Sequence, residues 1–195
     1  MSAQKPNRRQ QILETLAREL ETNIGSRITT ASLARAVGVS EAALYRHFAS
    51  KAKMFEALID FTEDTIFGII NNVMAQEKNC AARCEKISRI ALGFAEKNPG
   101  ITRVLLGDAL VGENDRLRIR VAQFFERLET QFKQVLREAN LGNDTRARGL
   151  IDVTAVELMS VLEGRMVRYI RSEFKILPTQ YWDEHWEAMR TALFQ

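Results

Sequence analysis

Tyr45, Arg46 and His47 stand in a row within SEAALYRHF, a segment whose remaining residues are mostly small or apolar. On a helix whose inner face carries Ala43, Leu44 and Phe48, the outward positions are Glu41, Ala42, Tyr45, Arg46 and His47. Tyr45 and Arg46 can donate hydrogen bonds to phosphate oxygens, and an arginine also matches the acceptor pair on a guanine edge. Ala42 is small enough for close approach or for contact with a thymine methyl. Lys51 and Lys53 follow at the start of the next helical pattern, where free backbone N–H groups and ammonium groups both favour phosphate. Upstream, Arg8, Arg9 and Arg27 are placed for backbone or minor-groove contacts.

These donors need a rigid support, and the flanking residues provide one. In ITTASLARAVGVSEAALYRHF, Thr29 or Thr30 is an N-cap and Leu33, Ala34 and Val37 form the inner face of a short helix. Gly38 stands where a helix C-terminus favours positive φ, and Ser40 can cap the following helix. Two short helices joined by a glycine turn have helix-turn-helix geometry, in which the second helix is presented to a major groove. The plainer reading is a helical hairpin with solvated charges, and for any one of these residues alone it is the better reading. The combination of cap, glycine turn, cap and clustered cations points to DNA.

Charge supports the same division. Residues 1–53 carry nine Lys and Arg against four Asp and Glu, a net of +5, while the remaining residues carry 19 against 21, a net of −2. A basic end on a slightly acidic body suits contact with a polyanion. We therefore read 1–53 as a DNA-binding domain and 54–195 as a helical body. The whole chain has 195 residues, 46% of them hydrophobic and 27% charged, which fits globular protein and argues against disorder. Its two cysteines cannot form a disulfide framework, so a reducing, cytoplasmic setting is expected.

The rest of the chain has helical periodicity throughout, and about nine helices are expected in an all-α fold. Asn98-Pro99-Gly100 and Leu141-Gly142-Asn143 read as breaks, and residues 173–179 as a loop before a final helix.

Other constellations carry less. Cys80 and Cys84 lack a third ligand for a metal, and His47 and His185, the only histidines, lie too far apart in sequence to suggest a catalytic triad. GDALVG lacks the spacing of a phosphate-binding loop. Neither enzymatic activity nor a cofactor is expected. Trp182 and Trp186 read as core or interface anchors, with dimer packing favoured, and Gly164 and Ala155 permit close helix approach in a dimer. Arg165, Arg168 and Arg171 form a basic stripe open to either a partner or solvent. Phe61 lies off the inner stripe set by Met54, Phe55, Leu58 and Ile59, so an exposed partner anchor and a buried contact stand as equal alternatives.

The segment ITTASLARAVGVSEAALYRHFASK resembles the DNA-binding module of the TetR family of transcriptional regulators. That resemblance implies an N-terminal three-helix module, a C-terminal helical dimerisation domain, and an Ω-shaped homodimer whose last two long helices form the dimer bundle. RITTASLARAVGVSEAALYRHF, FAEKNPGITRVLLGDAL, NDRLRIRVAQFFERLE and RYIRSEFKILPT together resemble the nucleoid occlusion branch of that family. This implies a nucleoid-associated homodimer, able to assemble further on DNA, that binds palindromic chromosomal sites and antagonises ring assembly by the cell-division GTPase FtsZ. It also implies DNA contacts from Arg27, Thr29, Thr30, the Ser40–His47 segment and Lys51, and an FtsZ-facing groove at Phe61, Gly93, Lys97 and Asn98. Ala49 and Asp108 depart from the branch, which usually carries Pro and His there. The alternative is a TetR-type repressor released from DNA by a small ligand held in the body; a third is a helical enzyme or interaction module.

Overall fold

A computed structural model describes residues 7–141 and 145–195. The helices are α1 (Arg8–Thr22), α2 (Thr30–Val37), α3 (Glu41–His47), α4 (Lys51–Gln76), α5 (Cys80–Lys97), α6 (Pro99–Leu105), α7 (Asp115–Leu141), α8 (Ile151–Arg171) and α9 (Trp182–Leu193), with a 3₁₀ turn at Asp108–Leu110. Among the described residues the only extended pairing is an isolated antiparallel bridge between Ala147 and Phe194. The all-α expectation of about nine helices holds among the described residues. Gly142 and Asn143, read as the close of α7, lie outside the described residues. Asn98-Pro99-Gly100 both stops α5 and starts α6, because proline at the first helical turn loses no intrahelical hydrogen bond.

The chain forms two compact units, each discontinuous in sequence: one from the N-terminal segment to Phe61 with Asn98–Val121, the other from Thr62–Lys97 with Ala122–Gln195. In the first, Ile12, Leu16 and Leu20 of α1 are buried, as are Leu33, Leu44, Phe48, Met54, Phe55, Ile101 and Val104. α6 packs closely on α1. Gly100 is buried there, and the Arg103 guanidinium, only 4% exposed, donates to Leu20 O at 2.6 Å and to Asn23 O at 3.2 Å. Arg103 thereby satisfies carbonyls at the C-terminal end of α1, which have no partners within that helix.

In the second unit, Ile66, Phe67, Ile70, Ile87, Leu92, Phe124, Leu128, Phe132, Leu158, Leu162 and Met166 are buried. Arg83 donates to Met74 O at 3.0 Å and Glu77 O at 2.6 Å, so a buried cation closes the carbonyl end of α4. Trp182 and Trp186 are buried within this unit, and the Trp182 indole N–H donates to Glu85 Oε1 at 3.0 Å. They belong to the core of their own protomer rather than to the dimer packing expected from their position in the last helix. Ala155 is likewise buried in that core, whereas Gly164 lies on the surface.

Candidate nucleic-acid interface

The helix-turn-helix is built from local hydrogen bonds. Thr29 Oγ1 accepts from the Ser32 N–H at 3.0 Å and Ser32 Oγ accepts from the Thr29 N–H at 3.1 Å, a reciprocal cap that starts α2. Gly38 has φ +76° and ends it, with the Val39 N–H returning to Ala34 O at 2.9 Å. Ser40 Oγ accepts from the Ala43 N–H at 3.2 Å and starts α3. Two residues after Gly38 the chain has therefore turned and begun a new helix.

With Leu44 and Phe48 pointing inward, α3 leaves Glu41, Ala42, Tyr45, Arg46 and His47 exposed on one continuous face. Thr29 is exposed beside them and Thr30 half-buried. Thr30 Oγ1 donates to Glu41 Oε2 at 2.7 Å, joining the first residues of α2 and α3. Ser50 caps α4 by accepting from the Lys53 N–H at 3.2 Å. Lys53 pairs with Glu56 one turn on. Arg9, on α1, lies over the Phe48 ring with its guanidinium carbon 4.7 Å from the centroid. Arg8 donates to Gln11 at 2.7 Å.

Arg27 and Lys51 are not simply free cations awaiting phosphate. Both engage Glu113, Lys51 Nζ at 2.6 Å and Arg27 Nε at 3.2 Å. Nothing in the sequence marked Glu113, because its partners lie 62 and 86 residues away. Arg103 was missed for the same reason.

Phe61 is 49% exposed, which decides between its two readings in favour of the surface. It opens onto a cavity of about 520 Å³ whose lining includes Asn7, Arg9, Leu13, Leu58 and Asn98. The structure thus brings Phe61 and Asn98 together and adds α1, whose contribution sequence reasoning had not included. Gly93 and Lys97 lie on the other compact unit, Gly93 half-buried with nothing within 4 Å of where a Cβ would stand, and Lys97 exposed in the last turn of α5. Asp108, one of the two departures, accepts from Arg103 Nε.

The other candidate chemistry stays bland. Cys80 and Cys84 are buried, and burial first, then hydrogen bonding with Cys80, pushes the Cys84 thiol up and away from reactivity. Among the described residues no group of three His, Cys, Asp or Glu side chains could hold a metal ion. No helix among them is long and apolar enough to cross a membrane. Arg165 of the basic stripe donates to His185 Nδ1 from Nη2 at 2.7 Å and to Pro178 O at 2.8 Å, so it serves an internal network.

Comparison with known proteins agrees with this geometry. Residues 12–58 match the bacterial regulatory proteins of the tetR family, and residues 78–194 match the tetracyclin repressor-like, C-terminal domain of SlmA-like type. The chain is 52% identical over 189 residues to the nucleoid occlusion factor SlmA of a Marinomonas species, covering 97% of this chain and 96% of that one. It is 54% identical over 189 residues to the protein of the same name from Alteromonas mediterranea, covering 97% of each. Among solved structures, the fatty acid degradation regulator FadR from Bacillus halodurans superposes with a TM-score of 0.78 at 12% identity, covering 96% of each chain. The TetR family regulator PfmR from Thermus thermophilus gives 0.74 at 17% identity, covering 91% of this chain and 96% of that one. At such identities the two structures speak for the fold alone.

Proposed function

Since the chain belongs to the SlmA nucleoid occlusion factors of the TetR family, we propose that it binds palindromic chromosomal sites as a homodimer and, from there, antagonises FtsZ ring assembly over the nucleoid. The observation that carries the DNA half is the outward face of α3, where Tyr45, Arg46 and His47 project from a helix fixed at both ends. In this reading residues 1–53 read DNA, with Arg27, Thr29, Thr30, Ser40, Glu41, Ala42 and Lys51 beside that face, and residues 54–195 dimerise and bind the partner. Two such modules about 34–36 Å apart would enter successive major grooves of one palindrome. Exposed Val153 and Val156 and the surface position of Gly164 on α8 support a dimer seam along that helix.

For the FtsZ half, the groove at Phe61 supplies an exposed aromatic beside polar Asn98, a form suited to an extended peptide with an apolar anchor. Gly93 and Lys97, on the other compact unit, are further FtsZ contacts in this reading. DNA acts as the positional signal by concentrating dimers where the ring must not form.

The test is FtsZ polymerisation with the protein alone and with its selected DNA duplex. Phe61→Ala and Lys97→Glu are expected to relieve inhibition while DNA affinity stays near wild type. Equal loss of both activities in both variants would remove the case for two separable surfaces. A protein that never alters FtsZ assembly, yet leaves DNA when a small ligand is added, would instead be an inducible repressor.

A further inference from the structure

The connection between α6 and α7 reaches back onto the DNA-reading module at two adjacent residues, Gly112 and Glu113. Gly112 adopts φ +74°, and the next residue, Glu113, turns its carboxylate inward, where the side chain is 7% exposed. Lys51 meets it with a side chain only 16% exposed, its ammonium also standing 5.6 Å from the Phe55 ring centroid. Arg27 reaches the same oxygen, Oε1, and also donates from Nη2 to Gly112 O at 2.7 Å. Two cations, one just before α2 and one at the start of α4, therefore converge on a single anion supplied from far along the chain.

Resting on the DNA-binding reading above, we propose that Glu113 is an internal surrogate for a DNA phosphate, occupying Lys51 and Arg27 until the backbone of the bound duplex displaces it. The chemistry matches: a carboxylate presents oxygen acceptors to an ammonium and a guanidinium much as a phosphodiester does. The geometry makes it a competitor. Lys51 points inward along Phe55, so it must swing outward to reach a phosphate, and it exchanges one short ion pair for another. A fixed negative charge among residues that meet a polyanion also opposes every duplex, whatever its sequence. Because Glu113 belongs to the α6–α7 connection, any displacement of that connection changes how freely the two cations can leave it.

The test compares full-length wild type with Glu113→Gln, using a short duplex enriched by the wild-type chain from a random pool and titrated at several salt concentrations. Exchanging one partly buried pair of about 1 kcal/mol predicts roughly five-fold tighter binding. Removing one negative charge should also steepen the salt slope by about one ion per protomer. Glu113→Asp, one methylene shorter but still charged, should fall between the two and guards against a folding effect in the glutamine variant. In an Arg27→Ala/Lys51→Ala background the gain from Glu113→Gln should at least halve. Equal or weaker binding by Glu113→Gln, or a gain undiminished in that background, would overturn the surrogate role alone. A wild-type chain that enriches no duplex would overturn the DNA-binding reading and the surrogate with it.

Discussion

Gly100 lies so close to Ala17 that a Cβ added to it would stand 2.0 Å from the Ala17 carbonyl oxygen. The opposing atom is backbone, with no side chain that could move aside. Helices α1 and α6 are thereby held at a distance only glycine allows. Replacement by alanine must push the helices apart, and with them the Arg103 bonds to Leu20 and Asn23.

We expect Gly100→Ala to lower stability by at least about 2 kcal/mol, since overpacking against rigid backbone has no cheap relaxation. Thermal or urea denaturation checks this, and an unchanged midpoint would contradict the packing described. Because α1 also packs against α2 and α3, the variant should lose DNA affinity in proportion to its loss of fold.

Arg46→Ala should behave in the opposite way. Its side chain is exposed on α3, so the melting temperature should move little, while DNA affinity falls. If Arg46 meets a phosphate, the salt slope should flatten by about one per protomer and affinity should drop alike on all sequences. If it meets guanine, discrimination at one base pair should fall instead, by about 1–3 kcal/mol. Fluorescence anisotropy on matched and mismatched duplexes separates these, and no change in either quantity would take Arg46 off the reading face.

His185 should give the second unit a mild acid sensitivity. Burial first, and the neighbouring Arg165 charge second, hold its pKa below the ordinary 6.5. Arg165 cannot give up its proton, so His185 Nδ1 is the acceptor and the folded state favours neutral imidazole. Below about pH 6.5 the unfolded chain therefore takes up a proton that the folded chain resists. Stability is fully present above that pH and declines as the pH falls through the folded value. Melting temperatures of wild type and His185→Gln, compared between about pH 7.5 and 5, should converge toward the acid end. Parallel curves would contradict this.

Which parts of the molecule can be read from sequence follows the range of the interactions that make them. The Thr29 and Ser40 caps and Gly38 act over three to five residues, so α2, its turn and α3 were legible, with only the first cap left open between Thr29 and Thr30. Phe61 was legible only as an off-stripe aromatic, because periodicity tells which face of α4 it occupies but not what else covers that face. Trp182 and Trp186 were misplaced because burial against the protomer and burial against a second copy leave the same apolar pattern; Glu85 as the partner of Trp182 lies 97 residues away. Glu113 had no local signature, and Arg103 had only Asp108, five residues on, while its bonds to Leu20 and Asn23 could not be read locally. Both are charged residues that look solvated in sequence, and only the folded chain brings their distant partners within reach.

The hydrogen bond from Thr30 to Glu41 bears on how such a protein would search a chromosome. An acidic residue opening the reading helix repels any duplex, and its bond to Thr30 fixes where that repulsion sits. Contact with a cytosine amino group would repay it only at the right base pair. On the proposed DNA-binding reading, Glu41 would widen the gap between chosen and indifferent sites by lowering the hold on the latter, shortening each fruitless stop along the genome. For a protein whose message is its address, selectivity counts for more than grip.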